Sequence, residues 1–216
     1  MFLVITMRDS VIDITKIREY FDRKEKIREE LLDISHRSIR KSSRAMTALH
    51  RGDEEEVANL LEEVKKDVKK LNEILESEPR FSDHGALIAA NREYAEVVLT
   101  KTLIEDGDLP RVGDLQVSPQ AYVQALAEAI GELRRHFLNL LRKDEVDESR
   151  EIHEKMERIF ETLEQLDYPD SILSGIKHRR DVARKTLEKT REDMTRAIRE
   201  RGLEEALGET QSRLEE

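Results

Sequence analysis

The stretch Ala86–Ile104, ALIAANREYAEVVLTKTLI, decides the fold. Its Leu, Ile, Val, Ala and Tyr residues occupy most of the circumference of a helix, the pattern of a helix enclosed on all sides. Yet it carries Glu93 and Glu96, three apart and therefore neighbours on one face. Burying two carboxylates without partners is costly. Arg92, Lys101, a basic residue on another helix or a divalent metal must compensate. Spacing alone leaves both readings open, a salt-bridged pair inside a bundle and a metal site.

Working outward, helical periodicity continues on both sides. A first helix is expected from about Ile14 to His50, with Ile17, Tyr20, Phe21, Ile27, Leu31, Ile34, Ile39, Met46 and Leu49 as its buried positions and Gly52 as its stop. Asp53 is placed to cap a second helix whose first turn is Glu54-Glu55-Glu56, and Pro79 ends it. The central helix opens near Ser82, and Leu109 to Val117, containing Pro110 and Gly113, reads as a loop. Ser118-Pro119 starts a fourth helix reaching about Lys143. A fifth spans about Glu148 to Leu166, a sixth runs from Pro169 to about Arg201, and Gly202 separates a short C-terminal helix expected to fray over 203–216. Residues 1–12 are expected to be extended or disordered. No β pattern, tandem repeat or long linker competes, so the 216 residues read as one all-α domain, an elongated bundle of seven helices.

Composition narrows the chemistry. There is no cysteine, which excludes disulfides, a thiolate nucleophile and a Cys-based zinc site and fits a cytoplasmic setting. Met1-Phe-Leu-Val-Ile-Thr-Met7 lacks a basic region before its apolar run and is not read as a signal peptide. No stretch reaches the roughly 20 apolar residues that span a bilayer. Charged residues make up 40% of the chain, and their helical spacing with apolar ones sets it apart from a disordered segment. The net charge of −10 argues against a surface that coats nucleic acid generally, so a polyanion would need a local basic face.

Two further groups of residues are candidates. Glu128 and Glu132 are one turn apart on the fourth helix, opposite the apolar Leu126, Ile130, Leu133, Phe137, Leu140 and Leu141. They read either as a solvated face or, facing Glu93 and Glu96, as half of an oxygen-rich site suited to Mg²⁺ or Mn²⁺. On the first helix Arg37, Arg40, Lys41 and Arg44 line one stripe, which His50 and Arg51 extend. That stripe reads either as a phosphate-backbone contact or as a solvated or subunit-bridging face. Arg179, Arg180, Arg184 and Lys185 form a second cluster among acidic neighbours.

Taken together these segments resemble the translin/TRAX family, on the TRAX side. Asp33-Ile-Ser-His-Arg-Ser-Ile-Arg-Lys-Ser-Ser-Arg-Ala-Met-Thr-Ala-Leu-His-Arg51 is similar to the long first helix of TRAX, and Glu93-Tyr-Ala-Glu96-Val to its segment Glu-Tyr-Val-Glu-Ala. Pro119-Gln-Ala-Tyr122 through Ala127-Glu-Ala-Ile-Gly-Glu132-Leu resembles the TRAX pattern Pro-x-x-Tyr followed by Ala-Asp-x-x-Gly-Glu-Leu, and Ile198-Arg-Glu-Arg-Gly202 the closing Arg-Gly. The resemblance implies a translin-type bundle of seven helices assembling into a hollow, octameric homo-oligomer that binds RNA or single-stranded DNA. It implies an Mg²⁺-dependent endoribonuclease in which Glu93, Glu96, Glu128 and Glu132 hold metal and Arg37, Arg40, Lys41, Arg44, His50 and Arg51 hold RNA. Glu128 departs from the aspartate of TRAX, which moves its oxygens by about one methylene. The loop between the third and fourth helices is shorter than in TRAX, which points to a prokaryotic, archaeal-type member acting without a separate partner. A non-cutting translin-like shell and a purely structural bundle are the alternatives.

Overall fold

The computed structural model describes residues 6–7, 10–11 and 14–215. Two residue pairs near the start, β1 (Thr6–Met7) and β2 (Ser10–Val11), form an antiparallel ladder with Thr6 opposite Val11. The rest of the expected extended or disordered 1–12 segment lies outside the described residues. Seven α-helices follow: α1 (Ile14–Arg51), α2 (Glu54–Ser77), α3 (Gly85–Ile104), α4 (Val112–Leu115), α5 (Pro119–Leu141), α6 (Val146–Glu164) and α7 (Ile176–Glu215). No helix among the described residues is long and apolar enough to cross a membrane.

Local chemistry sets most boundaries where the sequence places them. Asp53 accepts a hydrogen bond from the Glu56 amide at 3.1 Å, and Ser118 accepts one from Ala121 at 3.2 Å, satisfying amides that each helix start leaves free. Gly52 closes α1 with φ +75°, a conformation that a side chain disfavours.

Four expectations are corrected. Pro79–Phe81 is a short 3₁₀ turn, and α3 begins at Gly85, with His84 as its cap, rather than near Ser82. The Leu109–Val117 loop contains the single turn α4. The last long helix starts at Ile176 because residues after Pro169 form turns. It then passes through Gly202 unbroken, so the separate C-terminal helix does not exist and the count of seven is completed by α4. One glycine costs a helix about 1 kcal/mol, which the helix-forming Leu203-Glu204-Glu205-Ala206-Leu207 absorbs.

The central pair of the bundle is α3 and α5. Helices α1 and α2 pack on the α3 side, and α6 and α7 pack on α5. The largest core cluster joins Ile130, Leu133 and Phe137 of α5 to Ile152, Met156 and Leu163 of α6 and Ile176 of α7. A second joins Val64 and Val68 to Tyr94, Ala95, Leu99 and Ala125, and a third joins Leu31 and Ile34 to Leu71, Leu87 and Ala90. As its all-round apolarity predicts, α3 has buried residues on every side.

Helix α1 departs from the apolar reading in two ways. Ile17, Tyr20 and Phe21, expected in the core, are exposed, Phe21 by 60%, because the first half of α1 extends past the elements that would cover it. The Arg80 guanidinium reaches back to this half, donating to the Tyr20 hydroxyl at 2.9 Å. The buried face of its second half is small and polar, built from Ser35, Ser38, Ser42, Ala45 and Ala48. Small side chains allow α3 to lie close against it, and the three serine hydroxyl oxygens have no hydrogen-bond partner.

Truncating the fully buried Phe137 to Ala should destabilise the chain by about 3–5 kcal/mol. Leu203→Ala, at a position 62% exposed, should stay within about 0.5 kcal/mol. Urea unfolding of the two variants checks the contrast.

Candidate functional site

The α3–α5 contact places Glu93 and Glu96 opposite Glu128 and Glu132. All four are partly buried, and Glu93, Glu128 and Glu132 each act electrostatically on Glu96. Burial, followed by the repulsion of Glu128, Glu93 and Glu132, pushes the Glu96 carboxyl up to about 8. The Arg92 guanidinium opposes this but does not outweigh it. Glu96 makes no ion pair or side-chain hydrogen bond among the described residues.

Its three neighbours are each held by a partner side chain. Arg92 bridges the two helices, with Nη2 at 2.9 Å from Glu93 and Nε at 2.8 Å from Glu128. Arg179 of α7 donates from Nε to the other Glu128 oxygen at 2.8 Å. His50, at the end of α1, hydrogen-bonds through Nε2 to Glu132. That hydrogen bond holds the Glu132 carboxyl below its ordinary value against the opposing effect of burial. The site thus draws on four helices, with α1 and α7 closing its two ends.

Arg92 belonged to the compensators expected from the sequence, and Arg179 to the cluster that read as weaker evidence. The rest of that cluster serves elsewhere: Arg180 donates to the Leu166 carbonyl at 3.2 Å, and Arg184 pairs with Glu164 at 3.0 Å. The pairing of His50 with Glu132, 82 positions apart, has no local signal in the sequence. A groove of about 490 Å³ opens beside Glu96 and Glu128, walled by Arg179, His178, Val182 and Thr186. The four carboxylates supply hard oxygen donors of the kind a divalent cation takes, and Glu96 lacks a positive partner that such an ion would provide. Among the described residues, no three Asp, Glu or His side chains already stand in metal-ligating geometry.

The stripe on α1 is used in a different way from the carboxylates. Arg37 grips Asp67 of α2 with Nη2 at 2.7 Å and Nε at 3.2 Å from both oxygens, and Lys41 reaches Asp67 at 3.1 Å and Glu63 at 2.9 Å. Arg44 and Arg51 both pair with Glu56, at 3.2 and 2.6 Å. Arg37 and Lys41 are therefore taken up by contacts between α1 and α2 within the chain, whereas Arg40 is exposed and forms no ion pair among the described residues. Burial raises the Asp67 carboxyl, but hydrogen bonds from Arg37 and Lys41 win and hold it below its usual range.

No protein-family model matches the chain. An uncharacterized protein of Methanocaldococcus jannaschii is 29% identical over 212 residues, covering 97% of this chain and 92% of its own length. Among solved structures, AfC3PO superimposes with a TM-score of 0.77 at 27% identity over 88% of this chain and 99% of its own. The fold is that of the C3PO proteins. A second AfC3PO structure, a complex with duplex RNA, matches at TM-score 0.71 and 28% identity over 88% of this chain and 98% of its own. NeC3PO without ligand matches at 0.77 and 20% identity over 89% and 99%, a likeness of fold alone. These C3PO structures support the translin-type resemblance without separating its TRAX side from its translin side.

Two pH effects follow. Glu96 titrates higher folded than unfolded, so it favours the folded state at pH 5 and weakens it as pH rises toward 8. Glu96→Gln should therefore raise Tm at pH 8–9 in EDTA and change it little at pH 5. Asp67 has the opposite sign: its stabilisation is present above its unfolded value of about 3.9 and is lost as pH falls through its lower folded value. Asp67→Ala should cost about 1–3 kcal/mol at pH 7, because Arg37, which stays partly solvated, loses its partner while Lys41 keeps Glu63. The gap between variant and wild type should narrow in acid unfolding below about pH 4.

Proposed function

We propose that the chain is a metal-dependent endoribonuclease of the translin/TRAX type, with the TRAX-like carboxylates as its centre. The observation that carries this reading is Glu96, enclosed with three other carboxylates and left without a cation of its own. A structural bundle gains nothing from that arrangement, whereas a divalent-ion site requires it. RNA as the partner is supported by the duplex RNA bound to AfC3PO, a structure with the same fold.

In this reading Glu93, Glu96, Glu128 and Glu132 hold Mg²⁺ or Mn²⁺, which when bound supplies an activated water and charge stabilisation at the phosphodiester. Arg92 and Arg179 orient Glu128 and stand beside it to meet phosphate oxygens. His50 fixes the rotamer of Glu132. The groove beside Glu96 receives the strand, and Arg40, with the exposed Arg44 and Arg51, contributes long-range attraction to its backbone. The exposed apolar residues of α1 (Ile14, Ile17, Tyr20, Phe21) and α7 (Ile198, Leu203, Leu207) are the faces on which copies assemble into a homo-oligomeric shell.

One feature favours a non-catalytic RNA- or single-stranded-DNA-binding shell: Glu128 already satisfies two arginines and Glu132 a histidine. Incubating end-labelled RNA with the purified chain in Mg²⁺, Mn²⁺ or EDTA separates the two. Internal cuts in metal that fall at least a hundredfold in Glu96→Ala, with RNA binding retained, are expected. RNA that is bound but uncut at every metal concentration would assign the chain to the binding shell.

A further inference from the structure

The Glu128–Glu132 ladder on α5 continues one turn further to His136, and this face then enters a second concavity of about 500 Å³. Its walls are Asn139 of α5, Arg142 and Lys143 just past the end of that helix, and His50 and Arg51 of α1, with His136 between them. No carboxylate lines it. Arg142 and Lys143 are exposed and form no ion pair among the described residues. The His50 side chain is only 2% exposed, and with Nε2 committed to Glu132 its Nδ1 is buried without a partner.

Helix chemistry explains part of this. Helices α1 and α5 both end here, and cations are favoured near a helix C-terminus. That does not account for a basin of this size, for two histidines drawn into it or for a buried ring nitrogen left unsatisfied. With Arg51, Arg142 and Lys143 in its lining and no carboxylate among them, the basin is a positive region that an anion would relieve. Burial comes first, and nearby groups including Lys143 and Lys155 add to it, in holding the His136 imidazole below its ordinary value against the pull of Glu145.

We propose that this basin is a phosphate-binding subsite for RNA, separate from the carboxylates and joined to them through the His50–Glu132 hydrogen bond. The inference rests on the nuclease reading for its substrate, though not for its chemistry. Arg142 and Lys143 hold the phosphate oxygens by charge-assisted hydrogen bonds, and Asn139 adds a neutral donor. At 1.5 Å per residue, α5 rises about 14 Å from Glu132 to its end at Leu141, next to Arg142, a few nucleotides of strand. The subsite would thus grip the strand to one side of the cut and set where the remainder crosses Glu96.

The test uses the whole chain with inorganic phosphate at matched ionic strength, and short RNAs bearing a 5′-phosphate or a 5′-hydroxyl. Phosphate should shift the His50 and His136 ring resonances saturably where chloride does not. Those shifts should vanish in Arg142→Ala/Lys143→Ala and in Asn139→Asp, which places an anion in the basin. In metal, the double variant should raise KM for RNA about tenfold with kcat within about twofold. An equal penalty on both RNAs identifies a backbone phosphate as the occupant, and a penalty confined to the 5′-phosphorylated RNA identifies a terminal one. Histidine signals that ignore phosphate, or that shift equally in the double variant, overturn the subsite even if cleavage is intact. Phosphate shifts that depend on Arg142 and Lys143 in a chain that cuts no RNA would leave the subsite standing and remove the nuclease.

Discussion

Four carboxylates gathered between two core helices form the constraint to which much of this molecule answers. Like charges in a partly buried setting repel strongly, and each must be neutralised, protonated or given a cation. Glu93 and Glu128 share Arg92, Glu128 also takes Arg179 from α7, and Glu132 takes His50 from α1. Glu96 is the remainder, and its carboxyl is driven up to about 8. The ends of α1 and α7 are thereby tied to the centre by polar contacts as well as by packing.

The same logic governs the α1–α2 contact. Asp67 is buried on α2 and would be costly there, so α1 supplies Arg37 and Lys41 to meet it. That commitment explains why a cationic stripe on a chain of net charge −10 does not become an open basic face. The basic surface lies instead at the junction of α1 and α5, in a concavity lined by Arg142 and Lys143 and by no carboxylate. Site and basin lie on one continuous face of α5, which lets a single extended ligand engage both.

Much of this was legible in the residues. The enclosed nature of α3, the caps at Asp53 and Ser118 and the shared faces of Glu93–Glu96 and Glu128–Glu132 follow from spacings of three and four, which a helix turns directly into neighbours. The buried face of α1 was legible only in part, at Leu31 and Ile34, which are buried as expected. An apolar reading selects Ile17, Tyr20 and Phe21, which extend beyond the bundle, and passes over Ser35, Ser38 and Ser42, which are buried because α3 needs small neighbours there. Gly202 misled for a related reason: a Cβ there would meet nothing within 4 Å, so no packing at that position enforces a break.

By itself the sequence determined the all-helical class, the helix starts that carry side-chain caps and the pairing of carboxylates within each helix, because these depend on residues within one or two turns. Only the tertiary structure decided that the two pairs face one another and that Arg179 and His50 hold Glu128 and Glu132. It also decided that Arg37 and Lys41 serve Asp67, and that His136, Arg142 and Lys143 share a basin with His50. The hydrogen bonds and ion pairs among them join residues from 26 to 82 positions apart. Their partners are set by how whole helices pack, and no local pattern of residues encodes that choice.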